Sequence, residues 1–317
     1  MPRTKSSAPA ANAFSALALG PRTFDPHMSF WASAYGGSGS ISGNATTGAA
    51  NTNSQIYGFA TGVDYLAMPN TTFGLALGGG GTSWQLGQGM GNGHSGMFQA
   101  GLYGTSHFGP AYVSGAAAYS LQEVTTNRSV TLAGTDMLQS NFAANMLSAR
   151  LESGYRLAYG PVAVTPYGAV QTQAMFLPAY GEFTTSGSSQ FALNYTNHTF
   201  NATRTELGAW VDTDSLAGFG LPNLGLPWTA QGLKLYGRLA WAHDFDNEGS
   251  STAFFQSLPG GGTFLVNSAK PARDGALVTT GFEYKLADGW SVLAKFDGEF
   301  SSTTAIFSGT GTLRKVW

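Results

Sequence analysis

No cysteine occurs among the 317 residues of this chain. A disulfide framework and a thiolate metal site are therefore excluded. Charge is also scarce. Asp, Glu, Lys and Arg make up 10% of the residues, against roughly 25% in an average soluble domain. With 15 basic and 17 acidic residues the formal net charge is -2, so no basic surface invites nucleic acid. Long apolar runs are missing too. The best, such as Gly74-LALGGGG-Thr82, is short and broken by glycine, whereas a membrane-spanning helix needs about 20 consecutive apolar residues.

Catalytic patterns fail in the same way. Gly93-His94-Ser95-Gly96-Met97 lacks the final glycine of a nucleophile elbow. The histidines His27, His94, His107, His198 and His243 make no HExxH or i, i+4 pair. Gly78–Gly81 lacks the Lys-Ser/Thr and the helix that a phosphate loop requires. Small residues there let a strand bend or admit a close neighbour. No catalytic residue, cofactor or metal is expected.

What is present is 43% hydrophobic residues, 44 glycines and 13% aromatics. Low charge, much glycine and no apolar run fit a membrane barrel better than a soluble sandwich. Residues 7–19 are alanine-rich and helix-compatible, and Gly20-Pro21 closes them. The first residues are basic but lack a sustained apolar core, so they do not read as a secretory signal. An exported protein with this sequence is expected to come from a longer reading frame or one with a different start.

From Met28 the period becomes two. Strands are expected at 29–37, 53–66, 72–85, 95–108, 111–128, 141–158, 162–176, 198–213, 232–246, 274–286, 290–301 and 304–317. Their length of about 14 residues exceeds the usual 5–6 of globular sheets and the roughly 9–11 that a tilted strand needs to cross a bilayer. Links 67–71, 109–110, 159–161 and 287–289 are tight. Links 38–52, 86–94, 129–140, 177–197 and 247–273 are long and polar, rich in Ser, Thr, Asn and Gly as solvated loops are. The two kinds alternate, with 214–231 and the final hairpin at 301–304 as exceptions. Short turns on one rim and long loops on the other are the asymmetry of an outer-membrane barrel.

Side chains alternate sides along a strand. Leu147, Ala149, Leu151, Tyr155 and Leu157 thus oppose Arg150, Glu152 and Arg156. Leu233, Leu235, Leu239 and Trp241 oppose Lys234, Tyr236 and Arg238. Val292, Ala294, Phe296 and Phe300 oppose Lys295, Asp297 and Glu299. A charged face opposite an apolar one implies two solvents. The final strand, Ala305-IFSGTGTLRKV-Trp317, stops on an aromatic residue. A soluble strand usually frays or runs on into a polar tail, whereas a barrel's last strand pairs with its first and sets an aromatic at the membrane boundary. The fold class expected is all-β: a transmembrane antiparallel barrel of about 12 strands over residues 28–317, with both its ends on the short-turn, periplasmic rim.

Residues 28–317 resemble the translocator β-domain of autotransporters, the type V secreted proteins of Gram-negative bacteria. The resemblance rests on Phe30-WASAYGG-Ser38, Gly58-FATGVD-Tyr65, Gly101-LY-Gly104 with Phe108-Gly-Pro110, Glu152-SGYR-Leu157, Leu239-AWAHD-Phe245, Asp274-GALVTTGFEY-Lys285, Gly289-WSVLAKFDGEF-Ser301 and the end Leu313-Arg314-Lys315-Val316-Trp317. Lys315 departs from the family, which more often has an aromatic there; near a rim it can snorkel to headgroups.

The resemblance implies a monomeric translocator in bacterial outer-membrane lipid. The barrel-assembly machinery would insert it by reading its last strand, with Leu313 and Trp317 as the insertion signal. Residues 1–27 would be a linker or pore-threading helix leading to an N-terminal passenger. Some family members cut the passenger at an asparagine of that helix, and Asn12 lies there, but its Ala-Ala-Asn-Ala setting does not match the cleaving pattern. The lumen would be lined by Asp64, Arg150, Glu152, Arg156, Arg204, Glu206, Asp212, Lys234, Arg238, Glu283, Lys295, Asp297, Glu299 and Arg314, as cross-strand pairs in water. Two other readings are a stand-alone porin or adhesin barrel with a disordered tail at 1–27, and a barrel hydrolase using His243 with Asp244 and Asp246 at the long-loop rim.

Overall fold

In the computed structural model the described residues are 28–132, 134–213, 232–245, 249–258 and 260–317. The segments 1–27, with Asn12, and 214–231 lie outside them. The period-two stretches are strands throughout: β1 Met28–Ile41, β2 Thr52–Met68, β3 Thr71–Leu86, β4 Gly91–Phe108, β5 Ala111–Val130, β6 Asp136–Tyr155, β7 Val162–Leu177, β8 His198–Thr213, β9 Leu233–Asp244, β10 Asp274–Lys285, β11 Trp290–Phe300 and β12 Thr304–Val316.

Each strand pairs antiparallel with its chain neighbour, and β12 pairs with β1 from Ser29↔Val316 to Ile41↔Thr304. The sheet is therefore a closed barrel. Closure leaves no edge in the ring, so backbone N–H and C=O groups are paired without water.

The faces sort as the alternation requires. Large apolar side chains point outward: Phe59, Leu75, Leu102 and Leu239 are each at least 60% exposed. Inward go Trp31, Tyr103, Tyr112 and Tyr167, all buried, together with most of the charges. A continuous exposed apolar belt is foreign to a soluble monomer and is the lipid face of a transmembrane barrel.

One rim carries tight turns at 69–70, 109–110, 160–161 and 286–289. Gly109 and Gly160 adopt φ of 63° and 60° there, the left-handed region glycine favours. The amide of Trp317 donates to the Met28 carbonyl on this rim. The ladder of β6 breaks at Arg156, whose amide donates to Pro110 (2.7 Å), and resumes briefly at Leu157–Tyr159.

The other rim differs in part from expectation. The links 86–94 and 129–140 shrink to 87–90 and 131–135, because β4 begins at Gly91, β5 runs to Val130 and β6 starts at Asp136. Beyond the bilayer nothing stops the ladder from continuing. Thr126 with Ser140 (2.6 Å) and Gln139 with Asn127 (2.9 Å) add cross-strand bonds there. Within the links 177–197 and 247–273 the described residues are also more ordered than solvated loops. Tyr180–Gly181, Leu193–Tyr195, Ser250–Phe255 and Phe264–Asn267 form a four-stranded sheet, and Phe183–Ser186 pairs with β6.

Candidate functional site: the barrel lumen

Inward positions of β2 to β5 are small and uncharged around mid-height: Ala60, Ala76, Gly78, Gly101, Ala116 and Ala118 border a cavity of about 60 Å³. The facing wall, on β6 to β11, is ionic. Arg150 donates through Nη1 and Nη2 to both oxygens of Glu206 (2.8 and 2.9 Å) and through Nη2 to Glu152 (2.7 Å). The Tyr112 hydroxyl donates to Glu152 (2.7 Å) and that of Tyr167 to Glu206 (3.2 Å). Arg238 reaches Glu206 at 3.4 Å, lies 5.2 Å above the Trp210 ring, and donates to Thr279, which donates in turn to Asp297. Lys295 meets Asp297 at 3.0 Å. A charge lifted out of bulk water persists only when paired, and each of these has a partner of opposite sign.

Nearer the long-loop rim, Arg204 forks onto Asp244 (2.8 and 2.9 Å) and onto Glu299 (3.0 and 2.8 Å). The second fork reaches from β8 to β11, so barrel curvature makes it possible. Nearer the turn rim, Arg156 pairs with Asp212. There Asp64 accepts from Ser29 (2.8 Å), Tyr103 and Arg314 (3.0 Å), and the Trp31 indole donates to Tyr103 (2.7 Å). Lys234 is half-buried and faces Glu283 in register.

The charges of the lumen are legible in the sequence, whereas their aromatic partners Tyr103, Tyr112, Tyr167, Trp31 and Trp210 were not anticipated. Strand parity places each on the charged face, and that was the available signal. Leu313 and Trp317 are exposed on the outside. Lys315 lies at the turn rim, 5.4 Å over the Trp290 ring, and donates to the Asp288 carbonyl.

The hydrolase constellation is not assembled. His243 faces outward, bonds Asp274 at 2.9 Å and packs between Trp241 and Phe245. Asp244 points inward to Arg204, and Asp246 lies outside the described residues. Neighbouring strand residues occupy opposite faces, so His243 and Asp244 cannot converge.

A closed apolar-belted cylinder with an ion-paired lumen defines an outer-membrane β-barrel. A family model described as "Autotransporter beta-domain" matches residues 30–297. This chain belongs to that family, and its barrel is an outer-membrane translocator domain. The fold is similar to the translocator domain of NalP from Neisseria meningitidis (TM-score 0.72, 13% identity, 96% of this chain and 94% of that one). It is also similar to the β-domain of the Bordetella autotransporter BrkA (TM-score 0.63, 14% identity, 92% and 100% covered). An extracellular serine protease of Serratia marcescens is 25% identical over 278 residues, which are 86% of this chain but 24% of the protease. The chain thus spans about a quarter of the length of the curated relatives it matches.

Proposed function

We propose that this barrel anchors an N-terminal passenger in the outer membrane and passes it outward through the lumen, with residues 1–27 as the connecting segment inside the barrel. The single observation that carries this reading is the two-faced lumen. At mid-height the wall on β2 to β5 presents small, uncharged side chains to a passing chain, and the described charges of the opposite wall pair with one another and so compete little for it. Release of the passenger requires no catalytic residue of the barrel, which acts as pore and anchor rather than as enzyme.

The Leu313 and Trp317 side chains, outward on the closing strand, supply the contact read by the barrel-assembly machinery. The belt of Phe59, Leu75, Leu102 and Leu239 meets lipid, and the closed ring works as a monomer. The test is expression in a Gram-negative host with the native upstream sequence or an epitope-tagged passenger fused before Met1. Surface exposure of the passenger to added protease, lost when β12 is deleted, supports export. A passenger that stays in the periplasm although the barrel is folded in the outer membrane refutes it.

A further inference from the structure

The largest fully buried side chains of the described residues are not at mid-lumen. They are Leu138 and Ser140, at 1% and 0% exposure, at the far outer end of β6. In a bare barrel that end stands in water. What covers it is the outer-rim sheet. Phe183 and Thr184 lie in register with Gln139 and Leu138. Tyr180 stacks on the inward ring of Phe142 at 4.1 Å, and Tyr195 stacks on Tyr180 at 4.6 Å. Beneath them an apolar layer of Trp84, Val124, Ala144 and Leu177, with Met175 and Phe200 against it, joins inward positions from β3 to β8.

This sheet is tied down at both ends. At one end Arg128, on β5, forks onto Glu182 (2.8 and 2.6 Å) and also holds the Phe191 carbonyl, while Glu182 accepts the Leu193 amide. At the other, the Asn267 amide donates to the Thr47 carbonyl between β1 and β2 (3.0 Å), and Thr303 donates to the Lys270 carbonyl. The middle is the ladder of Leu193–Tyr195 with Ala253–Phe255, locked by Gln256. Around the twelve-strand ring, the β1–β2 link lies about four strands from the β5–β6 anchor, and the β11–β12 link that carries Thr303 lies about six strands from it, on the opposite side.

We propose that residues 178–197, with 249–258 and 260–273, form a strap that shuts the outer mouth of the lumen and unlatches at Arg128–Glu182 to let a chain through. Closing the mouth holds independently of the export reading; the passage of a chain rests on it. Glu182 is the latch because it is almost fully enclosed, with a side chain 4% exposed. Its carboxylate binds Arg128 and an amide of the strap at once. Removing it leaves the guanidinium with the Phe191 carbonyl but without its carboxylate, and frees the Leu193 amide, so the strap loses its ion pair to β5 and an internal brace in one step.

The absence of cysteine makes the test clean. Ser140→Cys places one nearly isosteric thiol beneath the strap, in the full chain folded in outer membranes. A bulky, membrane-impermeant maleimide added from outside should label it slowly. Adding Glu182→Ala should speed labelling about tenfold or more, a tenfold step being about 1.4 kcal/mol of opening. Gel mobility before and after boiling confirms that the barrel stays folded. Equal rates with and without Glu182, or labelling of the parent as fast as a free thiol, overturns the strap.

A second arm uses Gln139→Cys with Phe183→Cys, facing positions that a disulfide can bridge. The oxidised pair should block surface display of a fused passenger, and reductant should restore it. Display that persists with the disulfide formed overturns the unlatching. No display in the reduced form instead sinks the export reading and leaves the labelling result standing.

Discussion

Arg314 on the last strand donates to Asp64 on the second at 3.0 Å, reaching over β1 between them. Both side chains are buried, and the carboxylate is already held by Ser29 and Tyr103. The acceptor nest therefore belongs wholly to β1, β2 and β4, and its cation arrives with β12. The pair crosses the seam that closes the barrel.

Asp64→Ala should weaken that seam. Breaking a buried pair by removing one partner costs about 3–5 kcal/mol. Urea unfolding in lipid vesicles should show a loss of this order. The double variant Asp64→Ala with Arg314→Leu should recover part of it, since no unpaired charge remains. Additive losses in the cycle would show that the two residues do not act as a unit.

The two faces should respond oppositely to charge. Leu102→Arg, outward in the apolar belt, should cost about 2–4 kcal/mol near the bilayer midplane. Gln99→Arg, inward on the same strand, should cost well under half of that. The check is equilibrium unfolding in vesicles, and equal penalties would contradict the assignment of lipid and lumen faces.

The strap should open in alkali. Burial pushes the Tyr195 phenol up to about 12, with the Glu182 carboxylate adding to the rise and Arg128 opposing it, and burial raises Tyr180 as well. A phenol with a raised folded-state pKa binds its proton more tightly in the closed strap than in the open one. Closure is thus fully supported below pH about 10, where free phenols titrate, and is lost as pH rises toward 12. Labelling of Ser140→Cys should accelerate across that window, in step with phenolate absorbance. Tyr195→Phe should remove part of the pH dependence.

His243→Ala should leave passenger export unchanged. The His243–Asp274 contact is on the outer surface, and Asp274 is 61% exposed. Such pairs contribute about 0–1 kcal/mol. Loss of a hydrolytic activity on this substitution would revive the enzyme reading.

The chain alone determined the barrel and its faces. A ladder needs only a period of two, and the alternation of Arg150 with Leu151 or Lys295 with Phe296 states which side meets water. The start of β5 at Ala111 and the span of β8 were legible because Gly109-Pro110 and the flanking pattern leave one register. The partners were not. Arg204 meets Asp244 on the next strand but also Glu299 three strands on, a distance that curvature sets and that sequence spacing does not encode. The loops show the same divide. Ser, Thr, Asn and Gly in 178–197 suit solvated turns, and only the meeting of that segment with 250–255 gave its backbone groups partners and made it a sheet. Local pattern fixes the direction of each side chain, whereas long-range closure decides which side chains meet.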